Sequence, residues 1–160
     1  MEPLARYRLT FACFIAVVLA LAIVVAVFTV TGSAARGLEV PLTAVIVTLV
    51  GVAFSAVGRL AKRRPLACGS RVEVLKSYRR RLVRCAFIAE GPAAAGLAGF
   101  FVTDNIAVFM IGAGFAAIGF TQIAPSRRNL EAEEHNFARR GCHQSLVGAL
   151  LGFDGPPLSL

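Results

Sequence analysis

From Leu9 to Val30 the chain is apolar and uncharged, interrupted only by Thr10 and Thr29. A helix needs about 20 apolar residues to cross a hydrocarbon core of about 30 Å, so this run predicts a spanning helix. Three more runs follow, at about 42–59, 85–103 and 106–124. The second ends on Gly58 and Arg59, an arginine able to snorkel. The third carries one acid, Glu90, and the fourth is uncharged and stopped by Pro125. Ser33 to Val40 predicts a short connection between the first two spans, and Asp104-Asn105 a tight turn between the last two. The expected fold is therefore all-α, an integral membrane four-helix bundle of two helical hairpins. Residues 1–125 form its transmembrane domain, and 126–160 form a tail with a short polar helix.

The first run could also be read as a secretory signal, with Arg6 and Arg8 ahead of it and the small residues Ser33–Ala35 behind. Its length exceeds the roughly 7–15 residues of a signal's apolar core, so a retained anchor is expected. The third helix is expected to start before the membrane, because Ser70-Arg71-Val72-Glu73 has capping-box spacing. At 1.5 Å per residue, residues 71–102 span about 48 Å, well beyond the hydrocarbon thickness. After Pro125, Ser126 to Arg140 reads as a polar helix. Leu146 to Phe153 is apolar but too short to span, and is expected on the membrane surface or against the bundle. Gly155-Pro156-Pro157 predicts an irregular end.

The composition suits lipid as solvent: 57% hydrophobic residues and 16% charged, against roughly 25% charged in an ordinary soluble domain. The net charge of +8 could suggest nucleic acid, but the placement of the charges gives a different reading. Arg6 and Arg8 precede the first span. Ten basic residues lie between Arg59 and Arg84, and Arg127, Arg128, Arg139 and Arg140 follow the fourth span. Arg36 alone lies on the other side. The positive-inside rule then predicts cytoplasmic termini and a cytoplasmic basic loop, with a bacterial inner membrane as the expected location. The expected partners are the bilayer, anionic lipid head groups at the basic loop, and a second copy or another membrane protein. No nucleic acid is expected. The run Arg79-Arg80-Arg81 is read as a topology determinant touching head groups.

Transmembrane helices associate by close packing of small residues. Gly91, Ala95 and Gly99 form such a ridge on the third helix, expected to face inward. Gly112 with Ala116 and Ala113 with Ala117 do so on the fourth, and Gly51 with Ser55 offers a notch on the second. Cys13, Cys68, Cys85 and Cys142 lack C-x-x-C spacing, and the reducing side of the membrane disfavours disulfides. All four are expected as free thiols.

Glu90 is the one residue that could carry chemistry. It lies roughly 7–12 Å inside the boundary of the third span. A charged carboxylate costs about 2.5–3.5 kcal/mol at the helix centre on insertion scales, and less nearer the edge. Pro92 removes a backbone donor and frees the carbonyl of Ile88, and Gly91 adds flexibility, so a kink is expected there. A freed carbonyl beside a carboxyl group suggests a proton or small-cation site. A purely structural carboxyl, bonded to Ser55 or Thr48 or paired with Arg59 or Arg84, is the other reading.

Ala61-Lys62-Arg63-Arg64-Pro65, and then Ala86-Phe87-Ile88-Ala89-Glu90-Gly91-Pro92 with Ala95-Gly96-Leu97, resemble the polar loop and ion-binding helix of the rotor-ring proteolipid (subunit c) of F- and V-type ATP synthases. The likeness covers roughly residues 45–105 and implies that Glu90 is the ion-binding carboxylate. The chain departs from that family in having only Gly51 and Gly58 before the loop, where a repeated ring-packing Gly pattern belongs. It also has a longer loop and additional first and fourth spans, so ring assembly is not implied.

Cys142-His143 lacks metal-ligand spacing. No phosphate loop, nucleophile elbow or zinc-protease signature occurs, and no second intramembrane acid pairs with Glu90. Neither a metal, a cofactor nor an enzymatic activity is expected. The reading is a structural or accessory membrane protein, with a proton- or cation-binding channel or transporter component centred on Glu90 as the alternative.

Overall fold

The computed structural model describes residues 3–31, 40–63, 65–142 and 145–151. These form six helices: α1 (Pro3–Thr31), α2 (Val40–Arg63), α3 (Arg71–Thr103), α4 (Ile106–Ile123), α5 (Arg127–Arg139) and α6 (Leu146–Leu151). The protein is all-α, and α1 to α4 are long and apolar enough to cross a membrane. The Ser33–Ala35 segment, Arg36, His143 and the Gly155-Pro156-Pro157 ending lie outside the described residues.

The predicted boundaries of α3 have local causes. The Ser70 amide donates to the Glu73 carboxylate at 3.1 Å, closing the capping box. At the other end Asp104 takes a left-handed conformation, φ 51°, which Asp tolerates better than most residues. Asn105 then caps α4, its side chain accepting from the Ala107 amide at 2.9 Å. These two residues reverse the chain and set α3 and α4 antiparallel.

α3 is the central helix and touches each of the other three long helices. Its closest neighbour is α4. A methyl group added to Gly112 would lie 2.9 Å from the Gly96 Cα and would strike the Pro92 carbonyl. The two backbones are therefore in near contact, as small residues permit. The Gly91–Gly99 ridge faces elsewhere: Gly91 packs on Phe54, and Gly99 packs on Thr43 and Val47, all of α2, as well as on Val108 of α4. Of the pairs on α4, Gly112 and Ala116 are buried, whereas Ala117 is exposed. Gly51 is buried under Phe115.

α1 runs parallel to α3. Edge-to-face ring pairs join Tyr7 to Tyr78, Phe14 to Phe87 and Phe28 to Phe101, and Phe11 meets Phe120 of α4. Tyr7, Phe11, Phe14, Val18, Leu21, Val25 and Phe28 recur at alternating steps of four and three. That is the period of a left-handed helix seam.

One end of the bundle gathers the basic residues and carries a folded cap. There Leu66, Val74, Tyr78, Leu82, Leu130, Phe137, Leu146 and Leu150 form one buried core. The described part of the last apolar stretch, 146–151, becomes α6, packed in this core, while Gly152 and Phe153 lie outside the described residues. The first turns of α3 stand beyond the apolar part of the bundle and form the cap's wall.

Candidate functional site

Glu90 is partly buried on α3, and its Oε1 has no hydrogen-bond partner. Each helical residue turns about 100°, which explains its surroundings. Ala86, four residues before, packs in the cluster containing Phe11, Phe14 and Val18. Leu97, seven residues after, packs with Leu21 and Ala22. Glu90 shares that face and looks towards α1, level with Val17 and Val18. Gly91, one step round, faces α2.

The partners expected on α2 are therefore on the wrong side. Thr48 donates instead to the Ala44 carbonyl, 2.8 Å, and neither Ser55 nor Arg59 reaches the acid. Arg84, six residues earlier on α3, is exposed and makes no bond to it. Pro92 is buried inside α3, which continues through it to Thr103. The carbonyl that Pro92 frees, that of Ile88, lies about 200° round the helix from Glu90. The carboxylate and the freed carbonyl thus occupy opposite sides of α3. No group of three metal-ligating side chains occurs among the described residues.

The denser polar constellation is at the basic end. Arg81 pairs with Glu133 of α5 at 2.9 Å, with side chains 14% and 11% exposed, and also donates to the Lys62 carbonyl. Lys62 in turn donates to the Gln122 carbonyl at 2.9 Å, and Asn129 to that of Ala124 at 2.8 Å. These donors meet the carbonyl-rich end of α4, where a cation is electrostatically favoured. Arg140 stacks on Phe137 and donates to the Leu66 carbonyl. Tyr7 donates to the Leu75 carbonyl. Glu134 accepts from the Val147 amide at 3.0 Å, tying α5 to α6.

Two expectations change here. The arginine run is divided by helical position: Arg79 and Arg80 are exposed, but Arg81 turns inward and pairs with Glu133. Cys68 and Cys142 are not free thiols but form a disulfide, with Cα atoms 5.2 Å apart. Their separation of 74 residues hid the pairing from spacing rules. The fold joins them because the 65–70 connection crosses the cap, where Leu66 and Cys142 share the core. Cys13 and Cys85 are free, the first exposed and the second buried.

Comparison with protein-family models, curated proteins and solved structures finds no match.

Proposed function

We propose that the chain is a non-enzymatic, multi-pass membrane protein that serves as a structural or accessory component, with its basic end in the cytoplasm. The cap carries this reading. A polar helix joined to α3 by the Arg81–Glu133 pair, and a short apolar helix packed with it in one core, make a folded surface over the basic end of the helices. The charge asymmetry, 16 basic residues to one, supports the orientation and outweighs the Cys68–Cys142 disulfide at the same end, which by itself favours an oxidising compartment. The test is photo-crosslinking in intact cells from Arg128, which is exposed on α5. A discrete adduct from Arg128, and none from the lipid-level position Leu49, is the expected result. No adduct from any exposed position on α5 would remove the accessory reading.

The unpartnered Oε1 of Glu90 favours a second reading, a proton- or cation-binding component of a channel or transporter. Glu90→Gln keeps size and most hydrogen bonding but cannot ionise. Wild type and variant are compared by dye flux in vesicles, and Glu90 is titrated with a carbodiimide. Equal flux, with no titration between about pH 5 and 9, a range that covers documented buried Glu values, eliminates this reading.

A further inference from the structure

A crevice of about 810 Å³ opens between the last turns of α2 and the first half of α3. That volume falls within the roughly 300–1,000 Å³ of ligand sites. Its lining grades from basic to apolar, with Pro65 and Leu66 also present at the basic end. Towards the basic end it is lined by Arg80 and Arg84, one helical turn and about 6 Å apart along α3. Towards the middle of the bundle it is lined by Val57, Leu60, Phe87 and Ile88. Leu60 and Phe87 are 62% and 61% exposed.

Arg80 and Arg84 are exposed, and their side chains form no hydrogen bond or ion pair with any described residue. Arg81 also lines the crevice, but its guanidinium is engaged by Glu133 and the Lys62 carbonyl. Two unengaged guanidinium groups are therefore stacked above an apolar slot, at the level where the basic cap meets the apolar part of the bundle. A planar guanidinium matches phosphate oxygens in a bidentate way. The slot below is as apolar as an acyl chain. A soluble phosphate ester would satisfy the arginines and leave the slot wet, whereas a zwitterionic lipid would bring a second cation towards two arginines.

We infer that this crevice is a binding site for one anionic glycerophospholipid, its phosphate held by Arg80 and Arg84 and an acyl chain laid along Leu60 and Phe87. The site rests on the membrane placement of the bundle and not on its accessory role. A lipid here would fill the gap between α2 and α3 at their basic ends.

The test uses the full chain in nanodiscs of phosphatidylcholine containing phosphatidylglycerol, followed by native mass spectrometry of the released protein. One retained phosphatidylglycerol, in preference to phosphatidylcholine, is expected. Arg80→Gln with Arg84→Gln should weaken retention about 30-fold, from the attraction of two basic residues near a membrane surface. Arg6→Gln with Arg8→Gln makes the same charge change on exposed residues away from the crevice, and should leave retention unchanged. Equal losses from the two pairs, or equal retention of both lipids by the wild type, overturn the site.

A second measurement needs no variant. Phosphatidylglycerol with a diazirine in its acyl chain should label the peptides holding Leu60 or Phe87, and excess glycerol 3-phosphate should not compete. Labelling spread evenly over the apolar helices, or competition by glycerol 3-phosphate, also overturns it. Failure of the membrane placement is distinguishable, because the protein would then not enter nanodiscs.

Discussion

Gly112→Ala adds one methyl group to α4 where its backbone touches α3. The new Cβ would meet the Pro92 carbonyl oxygen and would lie 2.9 Å from the Gly96 Cα and 3.0 Å from its nitrogen. Carbon atoms rest at about 3.5–4.0 Å, so the seam must open by about 0.6–1 Å. All three neighbours are backbone, so no side chain can rotate away. Overpacking of this kind costs about 1–3 kcal/mol. Alanine recovers up to about 1 kcal/mol through its better helix propensity, leaving a net loss of up to about 2 kcal/mol. For a chain of this size that corresponds to a fall of up to roughly 8 °C in the unfolding midpoint. Gly114 is the internal control. It lies two residues further along the same helix, and a Cβ there meets nothing within 4 Å. Gly114→Ala should therefore match or slightly exceed the wild type. Thermal unfolding in detergent, followed by fluorescence-detected size exclusion, reads both variants. If Gly112→Ala is as stable as Gly114→Ala, the two backbones are not in contact and the α3–α4 seam described above is wrong.

Three further outcomes follow from the basic end. Arg81→Met or Glu133→Leu alone should destabilise by about 1–3 kcal/mol, less than a fully buried pair because both side chains retain some exposure, and the double variant should be milder than either single one. A double-mutant cycle on unfolding midpoints measures this, and additive losses would mean that the pair is not coupled. A cysteine probe at Ser70 should react with a membrane-impermeant maleimide only after the cells are opened, and labelling from outside reverses the orientation. Closing a 74-residue loop contributes about 4 kcal/mol in the chain-entropy description. Cys68→Ser should therefore lower the midpoint of oxidised protein, and the two proteins should converge in reductant. A gap that persists in reductant would assign the effect to packing instead.

The long helices were legible because lipid imposes a length and a composition on any segment that crosses it. Cap residues at Ser70, Asp104 and Asn105 fixed the ends of α3 and the start of α4 through local hydrogen bonds that sequence spacing encodes directly. Helix faces were harder to read. α3 carries two small-residue stripes, Gly91–Ala95–Gly99 and Ala89–Ala93–Gly96, and both satisfy the rule for close approach. Only the positions of the neighbours rank them: the first receives side chains of α2, while the second lies against the backbone of α4. The α1 seam was readable in principle. Tyr7, Phe11, Phe14, Val18, Leu21, Val25 and Phe28 hold a 3.5-residue period, but they are submerged in a helix whose other residues are equally apolar. Hydropathy marks such a span without marking its inner face.

Glu90 and the disulfide show the same limit at the level of sites. A single acid within an apolar helix stands out by composition, so its position was visible at once. Its surroundings depend on rotation: at 100° per residue, Gly91 faces α2 while Glu90 faces α1, and every candidate partner on α2 drops out of reach. Residues adjacent in sequence here face different neighbouring helices. Cys68 and Cys142 are the converse, 74 residues apart and yet joined. Their meeting depends on the core that brings Leu66, Phe137 and Leu146 together, and an apolar stretch as short as 146–153 gives no hint of where it docks. The cap's polar contacts follow from that docking. Arg81 leaves its exposed neighbours Arg79 and Arg80 because one helical step turns it towards Glu133. The same rotation keeps Arg80 and Arg84 on the open face beside Leu60 and Phe87, so one short basic run meets two different surroundings.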